Sequence, residues 1–326
     1  MKVLIVQPIH EQGISLLRSA GIEVVYATSP DPETVAKEIK GFDGVIVRTA
    51  PFTKEIIEQA DRLRAISRHG VGVDNIDVEE ASKRGIFVLN TPGVNDVSVA
   101  EHTVAMILAL AKRLKDIDRA VREGNFNIRE EYSAIDLDGK ILGIIGFGKI
   151  GSLVAKKCKT AFNMKILVYD PYVEKERLNE VEGEQVSLEN LLRESDFISI
   201  HTPLTQETMH LIGEKELKMM KPSSFILNMA RGPIWDENAL ARALSEGWIR
   251  GAGTDVFEEE PPKEDNPLLR IDNILLSPHS AALTKECVIR MAVGSAQNII
   301  DVLTGKTPKS IVNYSLLKKY GKIQEV

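Results

Sequence analysis

Two residues whose types could together reduce a carbonyl lie just past short apolar runs. Arg231 follows Phe225–Ala230 and precedes Gly232, so a tight turn would hold its guanidinium, a planar fork suited to a carboxylate. His279 sits in Leu276-Ser-Pro-His-Ser280. A histidine can deliver a proton near neutral pH, which a carbonyl needs at its oxygen as it accepts hydride. A carboxylate against its other ring nitrogen would hold the tautomer and favour imidazolium. Glu258, Glu259 and Glu260, before Pro261, are the candidates, and spacing does not choose among them.

The source of hydride is suggested by Gly143-Ile-Ile-Gly-Phe-Gly-Lys-Ile-Gly151. A lone G-x-G-x-x-G is weak, but this one follows a predicted strand, Ile141–Ile145, and opens a helical stretch, Ser152–Phe162. Gly146 would permit the turn, Gly148 would let a pyrophosphate approach, and Gly151 would let helix and strand pack closely. Free amides of the first helical turn, at Lys149 and Ile150, would face the phosphates. The next strand, Lys165–Tyr169, ends at Asp170, nineteen residues after Gly151. A carboxylate there accepts from the ribose hydroxyls and repels a 2′-phosphate, which favours NAD over NADP.

These residues need parallel sheets to position them. Short β-branched runs at 3–6, 24–26, 44–47, 65–67 and 87–89 alternate with helix-like stretches at 11–20, 32–40 and 54–60, the pattern of crossover units. After one long predicted helix, Val99 to about Val121, a second α/β pattern places strands at 141–145, 165–169, 197–199, 225–228, 251–254 and 274–276. The tail from about Glu286 has a helical apolar face, and patterning does not say which domain it rejoins.

Bulk properties narrow the class. A chain of 326 residues favours two domains, and a net charge of −6 without a long basic run argues against nucleic acid as a partner. Cys158 and Cys287 are too few for a disulfide framework, which suits a reduced, cytoplasmic setting, and both fall in helical stretches as packing residues. The apolar start at Val3–Val6 is too short for a signal peptide, and Val104–Ala111 is too short to cross a bilayer. No close metal-ligand spacing is present, and no metal is expected.

Taken in order, Ser67–Asp77, Asn90–Gly93, Ser98–His102, Gly143–Gly151, His201–Thr205, Asn228–Gly232, Asp255–Pro261 and Ser277–His279 resemble the D-isomer-specific 2-hydroxyacid dehydrogenase family. The likeness is greatest to its short phosphoglycerate and hydroxypyruvate dehydrogenase branch. The resemblance implies a Rossmann NAD-binding domain (99–285) inserted into a flavodoxin-like substrate domain (1–98 and 286–326), with the site in the cleft between them. It places Arg231 on the substrate carboxylate and carbonyl oxygen, His279 as acid–base residue and Glu260 as its partner. Thr202, Pro203, Ala230 and Asp255 fall along the cofactor, Asp255 near the nicotinamide carboxamide. Gly70, Val71 and Gly72 would cradle the substrate carboxylate by their amides, with His69 beside them.

Homodimerisation would use the Val99 helix and the following arm to about Asp138. No C-terminal regulatory domain is expected after Asn313, and two departures, Trp235 and Thr254, should affect packing more than chemistry. The implied activity is reversible hydride transfer between NADH and a small anionic 2-oxo acid. Arg48, after a predicted strand, makes 3-phosphoglycerate and 3-phosphohydroxypyruvate the leading pair. Pro51 and Phe52 depart from that branch and could shrink the pocket, which keeps glyoxylate and hydroxypyruvate reduction open. Phosphite or formate oxidation and a non-enzymatic NAD-sensing corepressor are the remaining alternatives.

Overall fold

In the computed structural model, residues 1–131 and 133–323 are described. The chain divides into two compact units, Met1–Asn95 with Leu283–Val326, and Asp96–Ala282.

The first unit is built on five parallel strands: β1 (Lys2–Ile5), β2 (Glu23–Tyr26), β3 (Gly44–Val47), β4 (Ala65–Arg68) and β5 (Phe87–Leu89), in the order β2-β1-β3-β4-β5. β3 is buried along its whole length and β1 along most of its own, as expected of strands covered on both faces, whereas the edge strand β2 is partly open. One face packs with helices Pro32–Glu38, Lys54–Gln59 and Val78–Lys83. The other packs with Glu11–Ser19 and with Lys285–Leu303, so the tail helix belongs to this unit. Gly13 is what allows the two helices to cross so closely, because a Cβ there would lie 2.6 Å from the Ala292 carbonyl oxygen. Phe52 is fully buried in this core.

The second unit holds seven parallel strands: β6 (Ile141–Ile145), β7 (Lys165–Tyr169), β8 (Glu184–Gln185), β9 (Phe197–Ile200), β10 (Phe225–Asn228), β11 (Gly251–Thr254) and β12 (Ile274–Leu276). Their order, β12-β11-β10-β9-β6-β7-β8, reverses direction at β6. That reversal between β6 and β9 is the switch point at which open α/β sheets bind ligands, beyond the carboxyl ends of the strands. The predicted single helix over 99–121 is two, Asp96–Ala111 and Leu114–Arg122. Arg113 between them takes left-handed backbone (φ 54°), and its guanidinium is held by Asp116 at 3.2 Å and Glu131 at 2.5 Å. Among the described residues, no helix is long and apolar enough to cross a membrane.

Candidate active site

The chemistry-bearing residues of the second unit leave the sheet in strand order. At the end of β6, Gly146 takes φ +90° and turns the chain so tightly that a Cβ would lie 2.8 Å from the backbone of His201 and Thr202, where β9 ends. A Cβ on Gly151 would lie 2.2 Å from the Gly146 carbonyl oxygen, so strand, turn and helix Lys149–Phe162 are locked together. Gly148 caps that helix and faces open space, with nothing within 4 Å of a Cβ position. The amides of Lys149, Ile150 and Gly151 lie in the first turn, where a helix has no carbonyls of its own to offer them. A glycine open to approach and outward amides fit the pyrophosphate of a dinucleotide. Asp170, at the end of β7, accepts from Phe147 N (2.7 Å) and Tyr172 N (2.8 Å), which pins its carboxylate beside the glycine turn.

At the end of β9, His201 Nε2 lies 2.8 Å from Ser199 Oγ, and burial pushes its imidazole down to about 3, so the ring is neutral. The following Thr202 and Pro203 form the strand exit, with the Pro203 carbonyl accepting from Thr208 Oγ1 at 2.6 Å. After β10, Asn228 braces the next turn: its Oδ1 accepts from Ala230 N (3.0 Å) and its Nδ2 donates to the Arg231 carbonyl (2.8 Å). Arg231 Nη1 donates to the Ala230 carbonyl at 2.7 Å. Gly232 follows because nothing larger fits, a Cβ lying 1.9 Å from the Phe257 carbonyl carbon.

His279 follows β12 in left-handed backbone (φ 51°) and donates its own N–H to the Asp255 carbonyl oxygen at 2.7 Å. The Asp255 carboxylate, 2% exposed, accepts from Ser280 N and Ala281 N, each at 2.8 Å, and from Ser277 Oγ. Asp255 therefore holds the turn that carries His279. Ser277 Oγ also meets His102 Nε2 at 3.1 Å. The three adjacent glutamates go three ways. Glu258 pairs with His210 at 3.3 Å, Glu259 with Lys263 at 2.7 Å, and Glu260 Oε2 lies 2.7 Å from His279 Nδ1. Glu260 Oε1 accepts from Phe257 N at 3.1 Å. Burial pulls the Glu260 carboxyl upward, but the His279 bond and charge, the Phe257 amide and Arg231 outweigh it, so it lies below its ordinary value. Glu260 is thus favoured as carboxylate against His279 Nδ1, with Nε2 as the ring nitrogen left for a substrate.

The remaining predicted residues lie in the first unit. Arg48 follows β3, with its Nη1 on the Pro8 carbonyl at 3.0 Å, and Arg68 ends the neighbouring β4. His69 is 3% exposed; burial first, then Arg48 and Arg68, lower its imidazole to about 4. Gly70 (φ +141°) and Val71 are tied by their carbonyls, Gly70 O to Thr91 and Val71 O to Asn90; Gly72 continues this loop. Sequence reading gave no role to Asn228, Ser277 or Arg68, although each lies inside or beside a motif that it singled out.

Comparison with known proteins places the chain in a family. Residues 104–281 match the D-isomer specific 2-hydroxyacid dehydrogenase, NAD binding domain family. The chain is 43% identical to a glyoxylate reductase of Thermococcus litoralis over 97% of this chain and 98% of that protein. It is 41% identical to a D-3-phosphoglycerate dehydrogenase of Archaeoglobus fulgidus over 96% of this chain but only 59% of that protein. The chain therefore spans about three fifths of that relative's length. The crystal structure of Aquifex aeolicus D-lactate dehydrogenase complexed with NAD and lactic acid superposes with a TM-score of 0.85 at 33% identity, covering 96% of this chain and 99% of that one. A match over more than half the chain, joined by a relative aligned nearly end to end, means that this protein belongs to the D-isomer specific 2-hydroxyacid dehydrogenase family and that its second unit is the NAD-binding domain.

Proposed function

We propose that the protein is an NAD-dependent D-2-hydroxyacid dehydrogenase that reversibly reduces a small 2-oxo acid at C2. The observation that carries this reading is the Glu260–His279 pair at 2.7 Å, beyond the carboxyl ends of the strands that also bear Arg231 and the Gly146–Gly151 turn. NADH, when bound, supplies the hydride. Arg231 holds the substrate carboxylate and polarises the 2-oxo group, and His279 Nε2 gives its proton to the developing alkoxide. Glu260 keeps that proton available by stabilising imidazolium. Thr202, Pro203 and Ala230 line the cofactor, Asp170 takes the adenosine ribose, and Asp255 both holds the His279 turn and faces the carboxamide. The amides of Gly70, Val71 and Gly72 receive the substrate carboxylate, with neutral His69 beside them.

For the substrate, we infer 3-phosphoglycerate and its 2-oxo partner, 3-phosphohydroxypyruvate. The support is a pair of arginines, Arg48 and Arg68, at the carboxyl ends of adjacent strands β3 and β4. Reduction of glyoxylate or hydroxypyruvate is the second reading, favoured by the nearly full-length match to a glyoxylate reductase. A phosphate held by an arginine contributes roughly 1.5–3 kcal/mol, about ten- to a hundredfold in kcat/KM. The expected result is that wild type prefers 3-phosphohydroxypyruvate to hydroxypyruvate by that factor with NADH, and that Arg48→Ala loses the preference. No preference in wild type leaves the second reading, and no turnover across a broad panel of 2-oxo acids removes the dehydrogenase assignment itself.

We also infer a homodimer formed through the second unit. Leu114, Ile117 and Val121 make one exposed apolar stripe on helix Leu114–Arg122, continued by Phe126, which is 66% exposed.

A further inference from the structure

Behind the Glu260–His279 pair lies a buried carboxylate with no part in the reaction described so far. Glu237 opens helix Glu237–Ser245 and is 5% exposed. Its Oε1 accepts from Glu258 N at 2.8 Å, and its own backbone N–H donates to Glu258 Oε1 at 3.0 Å. Its Oε2 accepts from Asn266 Nδ2 at 2.6 Å. Burial raises its carboxyl, and the nearby Glu258 and Glu260 add to the rise, so this acid is kept at an electrostatic cost.

What the carboxylate grips is the Phe257–Glu258 peptide. The Arg231 turn presses on the same peptide from Gly232. Phe257 N in turn holds Glu260 Oε1. The two peptide units that flank Phe257 thus meet both the Arg231 turn and the carboxylate that orients His279.

We propose that Glu237 is a positioning residue for the reaction: it clamps the Phe257–Glu258 peptide and thereby fixes Glu260 against His279 in register with Arg231. It does not touch substrate and acts through Glu260. The inference rests on Glu260 and His279 being the acid–base pair. Wild-type turnover reports on that reading, whereas the ratio of variant to wild type reports on this one.

The test is Glu237→Gln, alone and with Asn266→Asp. The single change sets an amide N–H against Asn266 Nδ2, so one of the two grips must break. The double change lets the new amide donate to the new carboxylate while its oxygen still accepts from Glu258 N. Expected for the folded single variant is a fall in kcat of about tenfold or more, the scale of a small misplacement. The pH profile limb set by the His279–Glu260 pair should move to lower pH, because the imidazolium loses part of its partner. Affinity for NADH, read by its fluorescence, should stay within about twofold, since the glycine turn is untouched, and the double variant should recover kcat and the pH limb. Wild-type kcat and pH profile in Glu237→Gln would overturn the proposal. So would a folded double variant that recovers neither, or a single variant whose lost activity matches only a loss of folded protein by thermal melting.

Discussion

His279 carries its ring on backbone with φ 51°, a region that few side chains adopt but that histidine, like asparagine, tolerates better than most. The turn is kept by Asp255, whose carboxylate is fully engaged with residues 277–281. Replacing His279 with Ala should lower turnover at neutral pH by on the order of a hundredfold or more, the usual share of a placed proton donor. NADH affinity should barely change, because the Gly146–Gly151 turn lies on a different strand. Stopped-flow reduction with fluorescence titration of NADH measures both, and undiminished turnover would remove His279 from the chemistry. At this scale the sequence was legible only in part. A run of three glutamates gives no local reason to prefer one. The choice is made by contacts, Glu258 with His210 and Glu260 with His279 remote in the chain and Glu259 with Lys263 four residues on, and by the resemblance, not by spacing.

Strands were the most legible elements. Every run read as a strand overlaps one, and most of these strands are largely buried, the edge strands β2 and β12 being more open. β8 escaped notice since it has two residues, Glu184 and Gln185, both exposed at the sheet edge. The break between helices Asp96–Ala111 and Leu114–Arg122 was equally silent. Lys112-Arg113 contains neither Gly nor Pro, and the left-handed turn is held by partners as far along as Glu131. That turn frees the second helix to present its own stripe of Leu114, Ile117 and Val121. Val121 is 54% exposed, so Val121→Glu should leave the fold intact and convert the proposed dimer to monomer, as read by sedimentation velocity. A wild-type monomer, or a variant dimer as tight as wild type, would remove this helix as the contact.

Each unit carries a histidine whose proton affinity is lowered by folding, His69 to about 4 and His201 to about 3, chiefly by burial. Unfolded, both titrate near 6.5. In the window between those values the unfolded chain binds the extra protons, so stability is full above about pH 6.5 and falls as pH falls. Each histidine contributes a slope of about 1 kcal/mol per pH unit there, levelling off below its folded value. Urea unfolding from pH 7.5 to 4.5 should show this loss, and His201→Gln should flatten it for the second unit; an unchanged slope in that variant would remove His201 from the account. At this scale both sheets were legible from alternation of runs, but the ownership of the tail was not, because helix Lys285–Leu303 shows an apolar face without saying what it covers. That helix, lying on Glu11–Ser19, makes the first unit a structure whose two pieces are synthesised far apart in time. While a ribosome is still adding residues, Asp96–Ala282 emerges whole and can close its own core, whereas the first five strands must wait with one face only partly covered, by Glu11–Ser19, until Lys285–Leu303 appears. A nascent chain stalled before Lys285 would therefore expose the apolar residues Val3, Ile14, Leu17 and Ile46, the surface that a chaperone binds and a protease finds first.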